Sequence, residues 1–301
     1  MALNIVEVFG HAPEDKSKEA VRLRRKLECP FLGSTCSKKL SDGLISGVCT
    51  VKMAHSGPIV CCPNRLYDRQ YRVLHDVAVA AFGEDVSLIH PDELATVAHD
   101  GRQVVAFGKR WGKELKLPRR AGRGGYFVDW ILALIGADCT LKEFVALEVQ
   151  SIDTTGSYRA EREALMKGRA YTGASKAGMN WENVSKRILP QIIYKGHVLR
   201  REKRCTRGMF FVCPAPVYDR IWQRLGQNML EYPMLQPGTL TFRWYDIGPP
   251  VPSGQRRELE FKNQFTTTID QVALAFTSPT NLPPPNVYEE AIQAEIATIL
   301  R

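Results

Sequence analysis

Five of the eight cysteines fall between Cys29 and Cys62, and this crowding constrains the chain more than any other feature. The segment around them is short and rich in turn formers, with Pro30, Gly33, Gly47, Gly57 and Pro63 where loops must bend. It is too small to fold on a core of its own, so it needs a staple. The first residues show no cationic stretch followed by an apolar run, which argues against a secretory signal and for a reducing, cytoplasmic setting. Disulfides are disfavoured there, which leaves a metal ion. Six residues separate Cys29 from Cys36, twelve separate Cys36 from Cys49, and twelve more separate Cys49 from Cys62. Four thiolates close a tetrahedral site around zinc or iron, and Lys26, Lys38, Lys39 and Lys52 offset their charge. Cys61 and Cys62 compete for the fourth place. Strand alternation turns Cys61 to the other face and favours Cys62, while iron and zinc stay equally open.

The rest of the chain carries enough apolar material for a true core. Of 301 residues, 44% are hydrophobic and 24% charged, which excludes disorder and collagen-like repeats. The net charge of +9 favours an anionic partner, nucleic acid before a membrane surface. No run of eighteen apolar residues is present to span a membrane. A glycine-rich phosphate loop ending in Lys-Ser/Thr is missing, which disfavours a nucleotide cofactor, and so is a serine nucleophile elbow.

Periodicity predicts helices from Pro13 to Leu27 and from Leu66 to Phe82, with short strands at Ser46 to Met53 and Pro58 to Cys62. A basic segment between Arg102 and Arg123 precedes two apolar strands, Tyr126 to Ile135 and Phe144 to Gln150. Helices follow near Tyr158 to Gly168, between Trp181 and Arg201 with a break at Pro190, and from Pro216 to Leu225. Gly208 to Cys213, Thr239 to Tyr245 and Glu258 to Thr267 read as strands. Asn286 to Leu300 reads as an amphipathic helix tethered by Pro279 to Pro285. This alternation argues an α/β fold, a mixed sheet flanked by helices. The small N-terminal four-cysteine metal-binding region occupies residues 1–65, and the remaining body residues 66–301.

Two carboxylates interrupt the apolar strands. Asp129 falls inside the first, and the second ends in Glu148-Val149-Gln150, with Glu148 and Gln150 on one face. Buried carboxylates are costly unless compensated, and a pair on adjoining strands invites a divalent cation such as magnesium. Such an ion polarises a phosphate and makes a hydroxide near neutral pH. The layout resembles the Asp…(Asp/Glu)-x-Lys signature of the PD-(D/E)xK nuclease superfamily, with Gln150 in place of lysine. Glutamine orients a water but cannot take its proton, so the general base is open. Asp246 with Glu260-Phe261-Lys262 matches the signature literally, but its strand alternates as a half-exposed edge does.

Two stretches together resemble the NotI-type restriction endonucleases. One comprises Cys29-Pro30-Phe31, Cys36-Ser37-Lys38, Gly47-Val48-Cys49-Thr50-Val51 and Cys62-Pro63-Asn64-Arg65; the other runs from Glu148 to Arg159. The resemblance implies a PD-(D/E)xK-type nuclease core and a homodimeric type II enzyme that cuts double-stranded DNA at a GC-rich palindrome, such as CGGCCG. It implies structural iron on Cys29, Cys36, Cys49 and Cys62, with the Cys-Pro match deciding for Cys62. It further implies magnesium on Asp129 and Glu148, with Gln150 positioning the water. Arg119, Arg120 and Arg123 lead into the Asp129 strand and are the first choice for DNA contact. The competing reading is a non-catalytic, metal-stabilised DNA-binding protein, in which Asp129 and Glu148 are merely structural.

Overall fold

Apolar runs bounded by turn residues become strands, and those with three-and-four spacing become the helices that cover them. The computed structural model describes residues 3–97, 100–111, 114–115, 127–278 and 282–300. The cysteine region holds β1 (Leu3–Val8), α1 (Lys18–Lys26), β2 (Glu28–Cys29), β3 (Ser34–Thr35), β4 (Val48–Met53) and β5 (Pro58–Val60). Then come α2 (Asp68–Phe82), β6 (Ser87–Ile89), β7 (Gln103–Gly108), β8 (Trp130–Ile135) and β9 (Leu141–Val149). Two-residue strands β10 (Thr154–Thr155) and β11 (Gly178–Met179) flank α3 (Arg159–Met166), and α4 (Leu189–Leu199) follows. The remaining elements are β12 (Met209–Pro214), α5 (Ala215–Arg224), β13 (Thr239–Ile247), β14 (Leu259–Thr268), α6 (Ile269–Thr277) and α7 (Val287–Ile299).

A seven-stranded sheet in the order β14-β13-β12-β9-β8-β7-β6 forms the centre. It is mixed: β12 runs parallel to β9 and β13, whereas β8 is antiparallel to β7 and β9. Period two sorts the side chains of β9. Val145, Leu147 and Val149 pack in a cluster with Val73, Leu74 and Val77 of α2, while Ala146 joins Leu189, Ile192 and Ile221 of α4 and α5 on the other face. Helices thus cover both faces, as expected for a mixed α/β sheet. The cysteine region adds a smaller antiparallel sheet, β1-β4-β5, whose Ile5 and Val51 share the buried cluster of α4 and α5.

Several local expectations are corrected. Asp129 lies just before β8 rather than inside a strand, and Gln150 lies just beyond β9. Pro190 does not break a helix; it stands in the first turn of α4, where a missing N–H is tolerated, behind a π-helical turn at Val184–Ile188. A 3-10 turn, Pro63–Tyr67, replaces the expected start of α2. β7 lies in the stretch read as basic: Val104, Val105 and Ala106 are fully buried, and the cations fall to either side. β14 sits at the sheet edge, with Lys262 bonded to Glu260 at 2.7 Å among exposed neighbours, the placement its alternation predicts.

Candidate active site and the cysteine cluster

Ladder geometry brings the two carboxylates together. Trp130 pairs with Leu147 and Ile131 with Ala146, so the register continued by one residue sets Asp129 against Glu148. The Asp129 Oδ2 accepts the backbone N–H of Val149 at 2.9 Å, which ties the residue across to β9. On the same face, Lys195 of α4 extends its Nζ to 2.5 Å from Glu148 Oε1, with both side chains largely buried. Glu148 is 8% exposed, whereas Asp129 keeps solvent access although protein atoms crowd around it.

Burial and the neighbouring Asp129 charge push the Glu148 carboxyl up to about 7, against the opposing pull of Lys195. The protein atoms crowded around Asp129 also raise its carboxyl, opposed by the Val149 N–H, Lys195 and Arg110. Two acids held above their ordinary range beside a single ammonium form a site short of positive charge. A hard divalent cation suits such a pair. No three His, Cys, Asp or Glu side chains among the described residues gather closely enough to hold a metal ion as they stand. Magnesium commonly uses one or two carboxylates and completes its shell with water and phosphate, so this pair fits it.

Gln150 stands differently from the expectation that it shares the Glu148 site. Its backbone N–H donates to the Val212 carbonyl, and its amide donates to the Ser151 carbonyl at 3.1 Å. It lines a small pocket with Asp153, Asn183 and Arg187. Arg119, Arg120 and Arg123 lie outside the described residues. The nearest described cation from that basic segment is Arg110, which acts on Asp129 and stands 5.8 Å from the centre of the Tyr67 ring. Tyr67 in turn accepts a hydrogen bond from the Trp130 indole at 3.0 Å, fixing the start of β8 beside Asp129.

Lys195 was not among the expected site residues. The signal is present, however: Lys195 lies three residues after Ile192 and four before Leu199, both buried, so a charge occupies the apolar side of α4.

Cys29, Cys36, Cys49 and Cys62 are all buried and unpaired by disulfides. Electrostatic interactions link them in a closed circuit, Cys29 to Cys36, Cys36 to Cys62, Cys62 to Cys49 and Cys49 to Cys29. Burial drives Cys49 well above the ordinary thiol range and Cys62 to about 12. Cys61 interacts with Cys62 as well, and takes Lys38 Nζ at 3.3 Å from its sulfur and at 2.5 Å from its carbonyl, a lysine that also acts on Cys62. Gly47, two residues before Cys49, lets the Phe9 ring pack against the loop: its φ is +70°, and a Cβ there would sit 2.3 Å from that ring. The donor set suits a four-thiolate ion, although the thiols stand as neighbours short of convergence.

The cysteine region also grips the segment after β9. Ser46 Oγ meets the Tyr158 hydroxyl at 2.8 Å, Arg162 donates to the carbonyls of Ser46 and Ile45, and Glu161 accepts the Ile5 N–H at 2.8 Å. Whatever orders the cysteine loops therefore steadies the loop that leaves Glu148.

No helix among the described residues is long and apolar enough to cross a membrane. No curated protein matches the chain. The family described as restriction endonuclease NotI matches residues 16–227, a span holding the cysteine cluster, Asp129, Glu148, Gln150 and Lys195.

Proposed function

Because the chain belongs to the NotI restriction endonuclease family, we propose that Asp129 and Glu148 hold the magnesium ion at which it hydrolyses a phosphodiester of duplex DNA. Family membership makes the protein a type II, site-specific deoxyribonuclease. The observation that carries the proposal is the facing pair of carboxylates with Lys195 at 2.5 Å from one of them. A bound magnesium ion polarises the scissile phosphate and lowers the pKa of a water.

The protein groups supply the rest. Glu148 must be ionised to bind a cation, and Lys195 favours that form in a buried setting. Lys195 also brings a fixed positive charge to where phosphate charge grows. Gln150 orients the water through its amide after turning from the Ser151 carbonyl, and takes no proton. Arg119, Arg120 and Arg123 contact the DNA backbone or guanine edges.

In the same reading, Cys29, Cys36, Cys49 and Cys62 hold structural iron, with zinc as the alternative ion. Their burial and closed circuit support this role. A GC-rich palindrome such as CGGCCG, cut in the cytoplasm by a homodimer, completes the proposal, since twofold DNA is matched by a twofold protein.

Incubating the protein with phage DNA and magnesium, then sequencing fragment ends, tests it. Discrete fragments sharing one palindromic end sequence are expected, and Glu148→Ala should bind DNA but leave it intact. Undigested DNA from the wild-type protein, or full cutting by Glu148→Ala, contradicts the proposal.

A further inference from the structure

We propose that α7 is a clasping arm whose apolar stripe seats in the apolar groove beside α4 of a second copy of this chain. The inference deepens the two-copy reading above, from which it takes the identity of the partner, and adds the surface that joins the copies.

Every residue of α7 is exposed. Tyr288, Ile292, Ile296 and Ile299 recur at steps of four, four and three, so they share one side of a helix of thirteen residues, about 20 Å long. They are 86, 56, 50 and 73% exposed. An exposed apolar stripe of this kind, with Glu295 along one edge, is what association surfaces look like. The partner is not DNA: between Leu282 and Leu300 stand Glu289, Glu290 and Glu295 and no lysine or arginine, and phosphates repel such a helix. Direct pairing of two α7 helices brings the same three carboxylates toward each other without a counter-charge.

The chain offers a complementary seat. A cavity of about 520 Å³ opens on the sheet face that carries Asp129 and Glu148, lined by Phe107, Ile131, Ala133, Phe144, Val198 and Leu199. Its side chains are apolar apart from Glu202. On either side of the lining residue Glu202 the chain carries Arg201, Lys203 and Arg204, all exposed, and Arg204 reaches the Lys142 carbonyl, in the stretch between the lining residues Leu141 and Phe144. Arg201 and Lys203 make no ion pair among the described residues, and Arg204 donates only to the Lys142 carbonyl. An acidic, apolar-striped helix and an apolar groove with a basic edge match in both charge and polarity. Reciprocal exchange closes two helices and two grooves at once, which is an isologous contact. It also places the joint next to the catalytic pair of each copy.

Sedimentation velocity of the full chain without DNA tests the arm. The wild-type protein should sediment as a dimer. Ile292→Glu with Ile296→Glu should raise the dimer dissociation constant by at least about 30-fold, the effect of losing an interface anchor. Arg201→Glu with Lys203→Glu should weaken the dimer, and adding Glu289→Lys with Glu295→Lys should restore it. A dimer that survives the α7 changes overturns the arm while leaving the two-copy reading in place. Failure of the charge exchange to rescue overturns the groove as its seat. A wild-type monomer, with and without palindromic duplex, overturns both.

Discussion

Glu148 shows how one side chain sets a pH response. Its carboxyl is held at about 7 by burial and by Asp129, so below that value it is protonated and a poor cation ligand. Cleavage at subsaturating magnesium should therefore fall as the pH drops through about 7, measured as initial rates on a single-site duplex. The stability effect runs the other way. A raised carboxyl binds its proton more tightly when folded, so the metal-free protein loses stability as pH rises from the ordinary glutamate range through about 7. The loss is up to about 3 kcal/mol, and Glu148→Gln should remove most of it in urea titrations at pH 5 and 8. Lys195→Ala should lower the cleavage rate by about 10- to 100-fold with DNA binding kept, the usual cost of losing a group that supports a metal ligand. Unchanged cleavage would leave Lys195 with a packing role only. The proximity of Asp129 and Glu148 is readable from sequence because each interrupts an apolar run, and neighbouring runs pair. Lys195 is not, because only the docking of α4 onto the sheet face carrying Glu148 joins residues 47 positions apart.

At the scale of elements, the proposed ion would order the cysteine loops more than their short strands do. β2 and β3 are two residues each, and their hairpin holds Cys29. Elemental analysis should find about one metal ion per chain, and removing it with a chelator should loosen α3 as well, since Tyr158, Glu161 and Arg162 bond to this region. Reloading zinc should release protons, because thiols raised by burial must lose them to bind. Cys62→Ser should lose the ion and Cys61→Ser should keep it; the reverse would assign the fourth ligand to Cys61. Spacing reveals five candidate thiols for four places, whereas how those thiols approach one another depends on how β4 and β5 pair. The early strands β1 and β7 escape sequence reading for a different reason. β1 alternates weakly, with the buried Glu7 on its length paired to Arg65 at 3.0 Å, and the cations flanking β7 mask its buried core.

For the whole molecule, a net charge of +9 on a mixed α/β body with its acidic pair on one sheet face suits a polyanionic substrate. DNA affinity should fall steeply with salt, by orders of magnitude between about 50 and 200 mM if six or more phosphates are contacted. A flat salt response would place the positive surplus away from DNA. The fold class is legible because strands and helices alternate along the chain, and the seven strands of the sheet lie in their order along the chain; the parallel pairing of β12 with β9 and β13 is not legible, since it depends on how the intervening helices pack. The proposed chemistry converges on the pair at the start of β8 and the end of β9. The most direct measurement is a crystal structure of the protein with cognate duplex and calcium, which occupies a magnesium site without supporting cleavage. An ion bridging Asp129, Glu148 and the scissile phosphate is the predicted result; carboxylates that bind no ion, or a phosphate far from them, would contradict it.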